Sequence, residues 1–126
     1  MKNHSSALFT DFYELTMAQG NWKKNKNNHA VFEMFFRRNP FGGGYSVFAG
    51  LETLLTKIQH FKFSKDDIDY LASLNFFDTA FLDYLAEFKF TGRLFAMDEG
   101  SIVFPHEPLV RVESSLIECQ ILEGLI

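Results

Sequence analysis

The chain has 126 residues, of which 47% are hydrophobic and 17% aromatic, including 16 Phe. This length is typical of one domain, and the hydrophobic content excludes a disordered chain. The formal net charge is −4 and no Lys/Arg cluster exceeds two or three residues, so a general nucleic-acid footprint is absent. So much Phe indicates either an aromatic core or an apolar surface that another protein region covers.

The sequence gives no sign of a membrane or metal-binding protein. It lacks an apolar run long enough for a transmembrane helix, and residues 1–9 lack the pattern of a signal peptide. Its one cysteine, Cys119, cannot form an internal disulfide and is expected to be a small buried side chain. The four histidines have no metal-ligand spacing, and His106 is expected to be structural. We therefore predict a cytoplasmic protein with no metal site in this chain.

The first predicted elements are a helix and a strand. The helix covers residues 12–22, with Asp11 as N-cap and Glu14 as partner in an acidic variant of the capping box. Four residues are predicted to share its inward face: Phe12, Leu15, Gln19 and Trp22. A solvated turn is predicted over residues 23–28. The strand predicted over residues 30–37 is apolar on both faces, which is typical of a central strand or one covered on both sides.

The remainder of the chain alternates between predicted helices and short strands. The triplet Gly42-Gly43-Gly44 predicts a loop, because glycine is costly in regular structure. Apolar spacing predicts helices over residues 47–61, from the Ser64 cap to Asn75, and over residues 78–88. Three strands are predicted over residues 94–96, 101–104 and 109–112. A capping box of Ser115 and Glu118 predicts a last helix that runs to Ile126.

Three blocks, in this order along the chain, resemble the N-terminal part of nicotinate phosphoribosyltransferase. They are TDFYELTMA at residues 10–18, FEMFFRR with PFGGG within residues 32–44, and EGSIVFP with EPL within residues 99–109. The resemblance implies an α+β fold, a hammerhead-like N-terminal α/β sandwich over residues 1–114. Residues 115–126 would begin the helix that leads into the barrel of a type II phosphoribosyltransferase. That family's chains are several times longer, so we expect a fragment that is inactive alone.

The resemblance also implies an activity and a set of binding residues. The family makes nicotinate mononucleotide and pyrophosphate from nicotinate and 5-phosphoribosyl 1-pyrophosphate in NAD salvage, assisted by ATP hydrolysis and Mg²⁺. In the family, the tyrosine matching Tyr13 stacks on the pyridine ring across the interface of a homodimer, and Asp11 lies nearby. Arg37 and Arg38 match a block near the phosphoribosyl pyrophosphate pocket. The family's catalytic histidine lies beyond residue 126, so no catalytic residue is expected here.

The residue types alone leave alternatives open. Asp11 can be a simple cap and Tyr13 a surface aromatic, although helix N-termini attract anions and tyrosine stacks on flat ligands. If the strand continues, Arg37 and Arg38 point to opposite faces, so one can pair with an acid while the other holds phosphate. The sequence does not decide which one. A non-catalytic dimerisation or regulatory module and the nicotinamide-using relative stay as alternatives.

Overall fold

The computed structural model describes residues 7–24 and 28–126. The α-helices are α1 (Phe12–Lys23), α2 (Leu51–Gln59), α3 (Lys65–Ser73), α4 (Thr79–Ala86) and α5 (Leu116–Leu122). The strands are β1 (His29–Met34), β2 (Ser46–Val47), β3 (Arg93–Ala96), β4 (Ile102–Val103) and β5 (Val110–Ser115). Two 3₁₀ turns cover Pro40–Gly42 and Glu123–Leu125. This mixed architecture confirms the α+β class, whereas most of the turn predicted over residues 23–28 lies outside the described residues.

A three-stranded antiparallel sheet has the order β1-β5-β3. Phe32, Val112 and Leu94 stand side by side across it, and Val112 is fully buried. The prediction of a central or doubly covered strand at residues 30–37 is wrong. Among the described residues β1 pairs only with β5, and Val31 on its outer face is 42% exposed. The central place belongs to β5, a pairing partner about 80 residues away in sequence that apolar patterning cannot identify.

The segment before α2 is a strand and a turn, not helix as predicted from residue 47. Residues Ser46–Val47 pair with Ile102–Val103, and Gly50 has a left-handed φ of 104° that ends the extended segment. The Gly50 and Leu51 amides donate to the two carboxylate oxygens of Glu99 at 2.7 and 2.8 Å. Glu99 therefore caps α2 from a distant loop, and the helix begins at Leu51.

Two apolar clusters form the core of the described part of the chain. The helical cluster combines apolar residues of α1, α3, α4 and α5 with aromatic rings from α1, α4 and the segments beside α3 and α4, and its members Phe81 and Leu85 are fully buried. The sheet cluster lies under the inner face of the three-stranded sheet and includes Val112 and Cys119. Cys119 is buried, as predicted. Because α5 contributes Ile121 to the first cluster and Cys119 to the second, it joins the two.

Helix ends follow the predictions only in part. Ser64 forms a full capping box with Asp67, and Asn75 with a φ of 52° follows the end of α3. Ser115 accepts a hydrogen bond from the Glu118 amide, but the Glu118 carboxylate accepts bonds from Thr91 and Ser114 instead of completing the box. The last helix ends at Leu122 and a 3₁₀ turn follows. The boundary placed after residue 114 stays a prediction.

Candidate functional site

The N-terminus of α1 is exposed, and its cap differs from the prediction. Asp11 occupies the N-cap position with an extended backbone, and its carbonyl accepts the Glu14 amide at 3.0 Å. Its side chain makes no hydrogen bond to the helix amides, so the predicted capping box does not form. Asp11 also lines an open cavity of about 240 Å³, together with Phe9 and Gly124.

The buried face of α1 also differs from the predicted stripe. Leu15 and Gln19 are buried as expected, but Phe12 is half exposed. Glu14 and Ala18 complete the face that packs against α5. The polar side chain of Gln19 can be buried because both ends of its amide group are paired. It accepts a hydrogen bond from the Asp78 amide at 2.7 Å and donates one to the Phe76 carbonyl at 3.4 Å. Because this face of α1 packs inward, the side chain of Tyr13, which precedes Glu14, points toward the surface.

Tyr13 has a fixed hydroxyl and an accessible ring. The side chain is 47% exposed, and its hydroxyl donates a hydrogen bond of 2.7 Å to Oε1 of Glu123. That bond, together with partial burial and the negative charges of Glu123, Glu14 and Asp11, raises the pKa of Tyr13 to about 12. The phenol is therefore neutral at physiological pH. The arrangement offers a flat aromatic face held in one position.

Glu14, next to Tyr13, is a buried carboxyl group that sequence analysis treated as a cap. It accepts a hydrogen bond from the Thr10 hydroxyl and is 2% exposed. Burial raises its pKa, because the charged form loses water. The second 3₁₀ turn approaches so closely that a Cβ on Gly124 would lie 2.9 Å from Oε2 of Glu14. An acid in the first turn of a helix is ordinary, so no local signal indicates this contact.

Glu123 connects Tyr13 with the end of β1. Its Oε2 accepts a hydrogen bond of 2.6 Å from the Gln120 side chain, while Oε1 holds Tyr13. Glu123 also lines an open cavity of about 260 Å³ with Glu33 and Arg37. Sequence analysis missed Glu123, because it lies 110 residues from Tyr13 and belongs to no motif that carries chemistry.

The two arginines lie on a bend, not on a strand. Since β1 ends at Met34, the strand that would have placed Arg37 and Arg38 on opposite faces does not continue. Both side chains are exposed, and neither guanidinium makes an ion pair or hydrogen bond with another residue in the described part of the chain. Arg37 lines the same cavity as Glu123, the residue that accepts the hydrogen bond of the Tyr13 hydroxyl. Arg38 is not brought into that group.

The glycine-rich segment after the arginines is a loop, as predicted. Phe41 has a φ of 57° and is fully exposed, and Gly42 follows with a φ of 66°. Glycine adopts a positive φ at no steric cost, so this conformation suits Gly42. Phe41 carries a bulky side chain and is strained in the same conformation. The Ser46 hydroxyl donates to Oδ1 of Asn39 at 3.3 Å and closes the loop.

The described residues do not fit a metal centre. No group of three or more His, Cys, Asp or Glu side chains within residues 7–24 and 28–126 could hold a metal ion. His106 has a φ of 67°, its amide donates to the Phe36 carbonyl at 2.8 Å and its ring lies 5.9 Å from that of Phe35. No helix in the part of the chain described here has the length and apolar character needed to span a bilayer.

Comparisons with known proteins give one consistent result. Residues 8–126 match the family model for the nicotinate phosphoribosyltransferase (NAPRTase) N-terminal domain. Nicotinate phosphoribosyltransferase pncB2 of Mycobacterium tuberculosis is 41% identical over 126 residues, 100% of this chain and 27% of that protein. The nicotinate phosphoribosyltransferase of Bacillus subtilis is 43% identical over 123 residues, 97% of this chain and 25% of that protein.

A solved structure agrees with the sequence comparisons. The crystal structure of human nicotinic acid phosphoribosyltransferase matches with a TM-score of 0.81 and 37% identity, over 90% of this chain and 24% of that chain. The chain therefore spans about a quarter of the length of the relatives it matches.

Proposed function

Because this chain belongs to the nicotinate phosphoribosyltransferase N-terminal domain family, we propose that it supplies substrate-binding residues to such an enzyme. The proposed reaction joins nicotinate and 5-phosphoribosyl 1-pyrophosphate to give nicotinate mononucleotide and pyrophosphate. The domain would act together with a catalytic region of the kind that fills the other three quarters of its relatives. The observation that carries this proposal is the half-exposed ring of Tyr13, held in place by its own hydroxyl.

Tyr13 is proposed to stack on the pyridine ring of nicotinate. Its hydroxyl is engaged by Glu123, so the ring is the part left available to a ligand. Flat aromatic systems prefer offset stacking on such a ring. Nearly half of the side chain faces outward from this domain. We therefore propose that another region of protein completes the site, contributed by the second subunit of a homodimer. We propose that Asp11, two residues earlier on the same exposed helix end, lies at the edge of this site.

Arg37 and Arg38 are proposed to meet the phosphate groups of 5-phosphoribosyl 1-pyrophosphate. Both guanidinium groups are exposed and have no ion-pair partner among the described residues, so at least one is available for an anion. A guanidinium binds a phosphate through two parallel hydrogen bonds. Arg37 lines one cavity with Glu33 and Glu123, whose negative charges weaken the attraction of this cavity for an anion.

The remaining features of the proposed enzyme rest on the family. ATP hydrolysis and Mg²⁺ are proposed for the whole enzyme, and the described residues provide no ligand set for the metal. We therefore assign no step of the reaction in this domain to either. The buried, unpaired thiol of Cys119 suits the reducing cytoplasm that we propose. The relatives are named for nicotinate or nicotinic acid, which favours the acid over the amide as substrate.

A chimaera tests the role of Tyr13. The 126 residues replace the matching N-terminal quarter of the Bacillus subtilis relative, and nicotinate mononucleotide formation is followed at varied nicotinate. Tyr13→Ala is expected to raise the KM for nicotinate about tenfold, the loss of one aromatic stack. The exposed Tyr70 on α3 provides the control, since Tyr70→Ala should leave KM unchanged. Equal KM values for the two variants would contradict the proposal.

The same chimaera separates the arginines. Arg37→Ala and Arg38→Ala are each assayed at varied 5-phosphoribosyl 1-pyrophosphate with nicotinate saturating. At least one should raise the KM for the ribose donor about tenfold or more, because a charged hydrogen-bonding partner of phosphate is lost. The exposed Lys62 provides a matched loss of positive charge through Lys62→Ala. If both arginine variants behave like the lysine variant, neither arginine binds phosphate.

A further inference from the structure

We infer that Glu123 is a positioning residue for Tyr13: its carboxylate holds the phenol hydroxyl and so fixes the ring that stacks on the ligand. The part of this inference that concerns the ligand rests on the proposed function. The part that concerns the hydrogen bond does not, and it is testable in the chain alone. The role differs from that of Tyr13 itself, because Glu123 acts through another side chain.

Both oxygens of the Glu123 carboxylate are engaged. Oε1 accepts from the Tyr13 hydroxyl at 2.7 Å and Oε2 accepts from the Gln120 amide group at 2.6 Å. Rotation of the carboxylate would break at least one of these bonds. A hydrogen bond to an ionised acceptor is also stronger than a neutral one. The Tyr13 ring is therefore tied to a group that is itself held in one orientation.

The backbone beneath Glu123 is placed by close packing. The neighbouring residue, Gly124, lies so near α1 that an added Cβ would be 3.2 Å from the Thr10 Cα and 2.9 Å from a carboxylate oxygen of Glu14. Helices α1 and α5 pack along one another immediately before this turn. Two consecutive residues of the turn thus meet two consecutive residues of α1, Tyr13 and Glu14. The fold thus places the backbone that carries the Glu123 carboxylate close to Tyr13.

A held ring has a direct benefit for binding. An exposed side chain that becomes ordered only on ligand binding loses rotamer freedom at that moment, and this entropy loss reduces the affinity. The Glu123 bond removes that freedom before binding. Loss of the bond should therefore raise the KM for nicotinate without changing the chemistry, which leaves kcat unaffected.

The first test measures the hydrogen bond in the 126-residue chain. Phenolate absorbance is titrated in the wild type, in Glu123→Ala and in Glu123→Ala with Tyr13→Phe. Without the acceptor and its charge, the pKa of Tyr13 should fall from about 12 toward the ordinary value of about 10, although partial burial and the charges of Glu14 and Asp11 continue to raise it. Between these two pH values Glu123→Ala should then show one additional phenolate, and the double variant should not. An unchanged titration curve in Glu123→Ala overturns the inference.

The second test measures the effect on binding in the chimaera. Tyr13→Phe and Glu123→Ala each remove the same hydrogen bond, so each should raise the KM for nicotinate about fivefold with kcat unchanged. The double variant should also show about fivefold, and not about 25-fold, because the two changes remove one interaction. Glu123→Gln keeps an acceptor oxygen and should stay within about twofold of the parent. The control Glu87→Ala, at an exposed glutamate, should match the parent.

The outcomes separate the two proposals. If Tyr13→Ala leaves the KM for nicotinate unchanged, the proposed function of Tyr13 fails, and the positioning role fails with it. If Tyr13→Ala raises KM but neither Tyr13→Phe nor Glu123→Ala does, only the positioning role is overturned. Multiplicative effects in the double variant also overturn it. Should Glu123→Ala not fold, Tyr13→Phe and Glu123→Gln still decide, since they remove and retain the bond respectively.

Discussion

The helical cluster and the outer face of the three-stranded sheet differ in how far they bury their apolar side chains. In the helical cluster, Phe81 and Leu85 are 0% exposed, and the rings of Trp22, Phe77 and Tyr84 surround Phe81. On the outer face of the sheet, Val31 and Phe95 are 42% and 51% exposed, beside the ion pair of Arg111 and Glu113. The helical cluster therefore buries its apolar side chains within this domain, whereas the outer sheet face leaves apolar side chains exposed to solvent.

This difference assigns distinct roles to the two regions. Helix α1 packs its inner face into the closed helical cluster and presents Tyr13 outward, so the aromatic platform has a rigid support. The arginines and the fully exposed Phe41 lie after β1, at the end of the open sheet. A binding residue on a rigid element is held more precisely than one on a loop. We therefore expect Tyr13 to be preorganised and Arg37 and Arg38 to adjust to their ligand.

The largest effect should come from breaking the closed region. Phe81→Ala removes a fully buried ring and is expected to lower the free energy of unfolding by about 4 kcal/mol. Phe95→Ala, on the open sheet face, should cost less than about 1 kcal/mol, because its side chain gains little burial on folding. Urea unfolding of the two variants measures both values. Equal losses would show that the two regions do not differ in closure.

A smaller effect is expected where the last turn meets α1. Gly124→Ala should lower the free energy of unfolding by about 1–2 kcal/mol, since the new methyl group lies too close to Glu14 and Thr10. Gly20 is a matched control inside α1, where an added Cβ meets no atom within 4 Å. Gly20→Ala should instead stabilise the protein by about 0.5–1 kcal/mol. A Gly124→Ala variant with the same free energy of unfolding as the wild type would contradict the close contact beneath Glu123.

The smallest effect concerns the charge of Glu14. The pKa of Glu14 is raised in the folded state, so its contribution to the free energy of unfolding depends on pH. This stabilising contribution is fully present below the pKa of Glu14 in the unfolded chain and is lost as pH rises through its pKa in the folded protein. Glu14→Gln removes this dependence and still lets the Thr10 hydroxyl donate to an oxygen. We expect the variant to melt a few degrees higher than wild type at neutral pH and to lose that advantage in acid. Thermal unfolding at pH 4 and pH 7 measures the difference, and a variant that is less stable at neutral pH would contradict it.

Sequence reasoning succeeded where the determinants are local. The Ser64 cap and the stop at Asn75 depend on side chains within a few residues of the helix ends, and both are present. It failed where the determinant is a distant partner. Ser46–Val47 is a strand because Ile102–Val103 pairs with it, and α2 begins late because Glu99 caps it.

The candidate site divides in the same way. Tyr13 and the arginines were found through a resemblance in their own motifs, and the fold confirms the family that the resemblance indicated. Glu123 and the burial of Glu14 follow from the packing of the last turn against α1, which no sequence window contains. The roles assigned to Asp11, Tyr13, Arg37 and Arg38 in binding stay predictions.

Product formation by the unmutated chimaera tests the central claim most directly. The claim is that these 126 residues serve as the N-terminal domain of a nicotinate phosphoribosyltransferase. We expect the chimaera with the Bacillus subtilis relative to form nicotinate mononucleotide from nicotinate and 5-phosphoribosyl 1-pyrophosphate, at a rate well above that of the relative lacking its matching quarter. A chimaera that folds, as judged by circular dichroism and cooperative melting, yet forms no product would contradict the account.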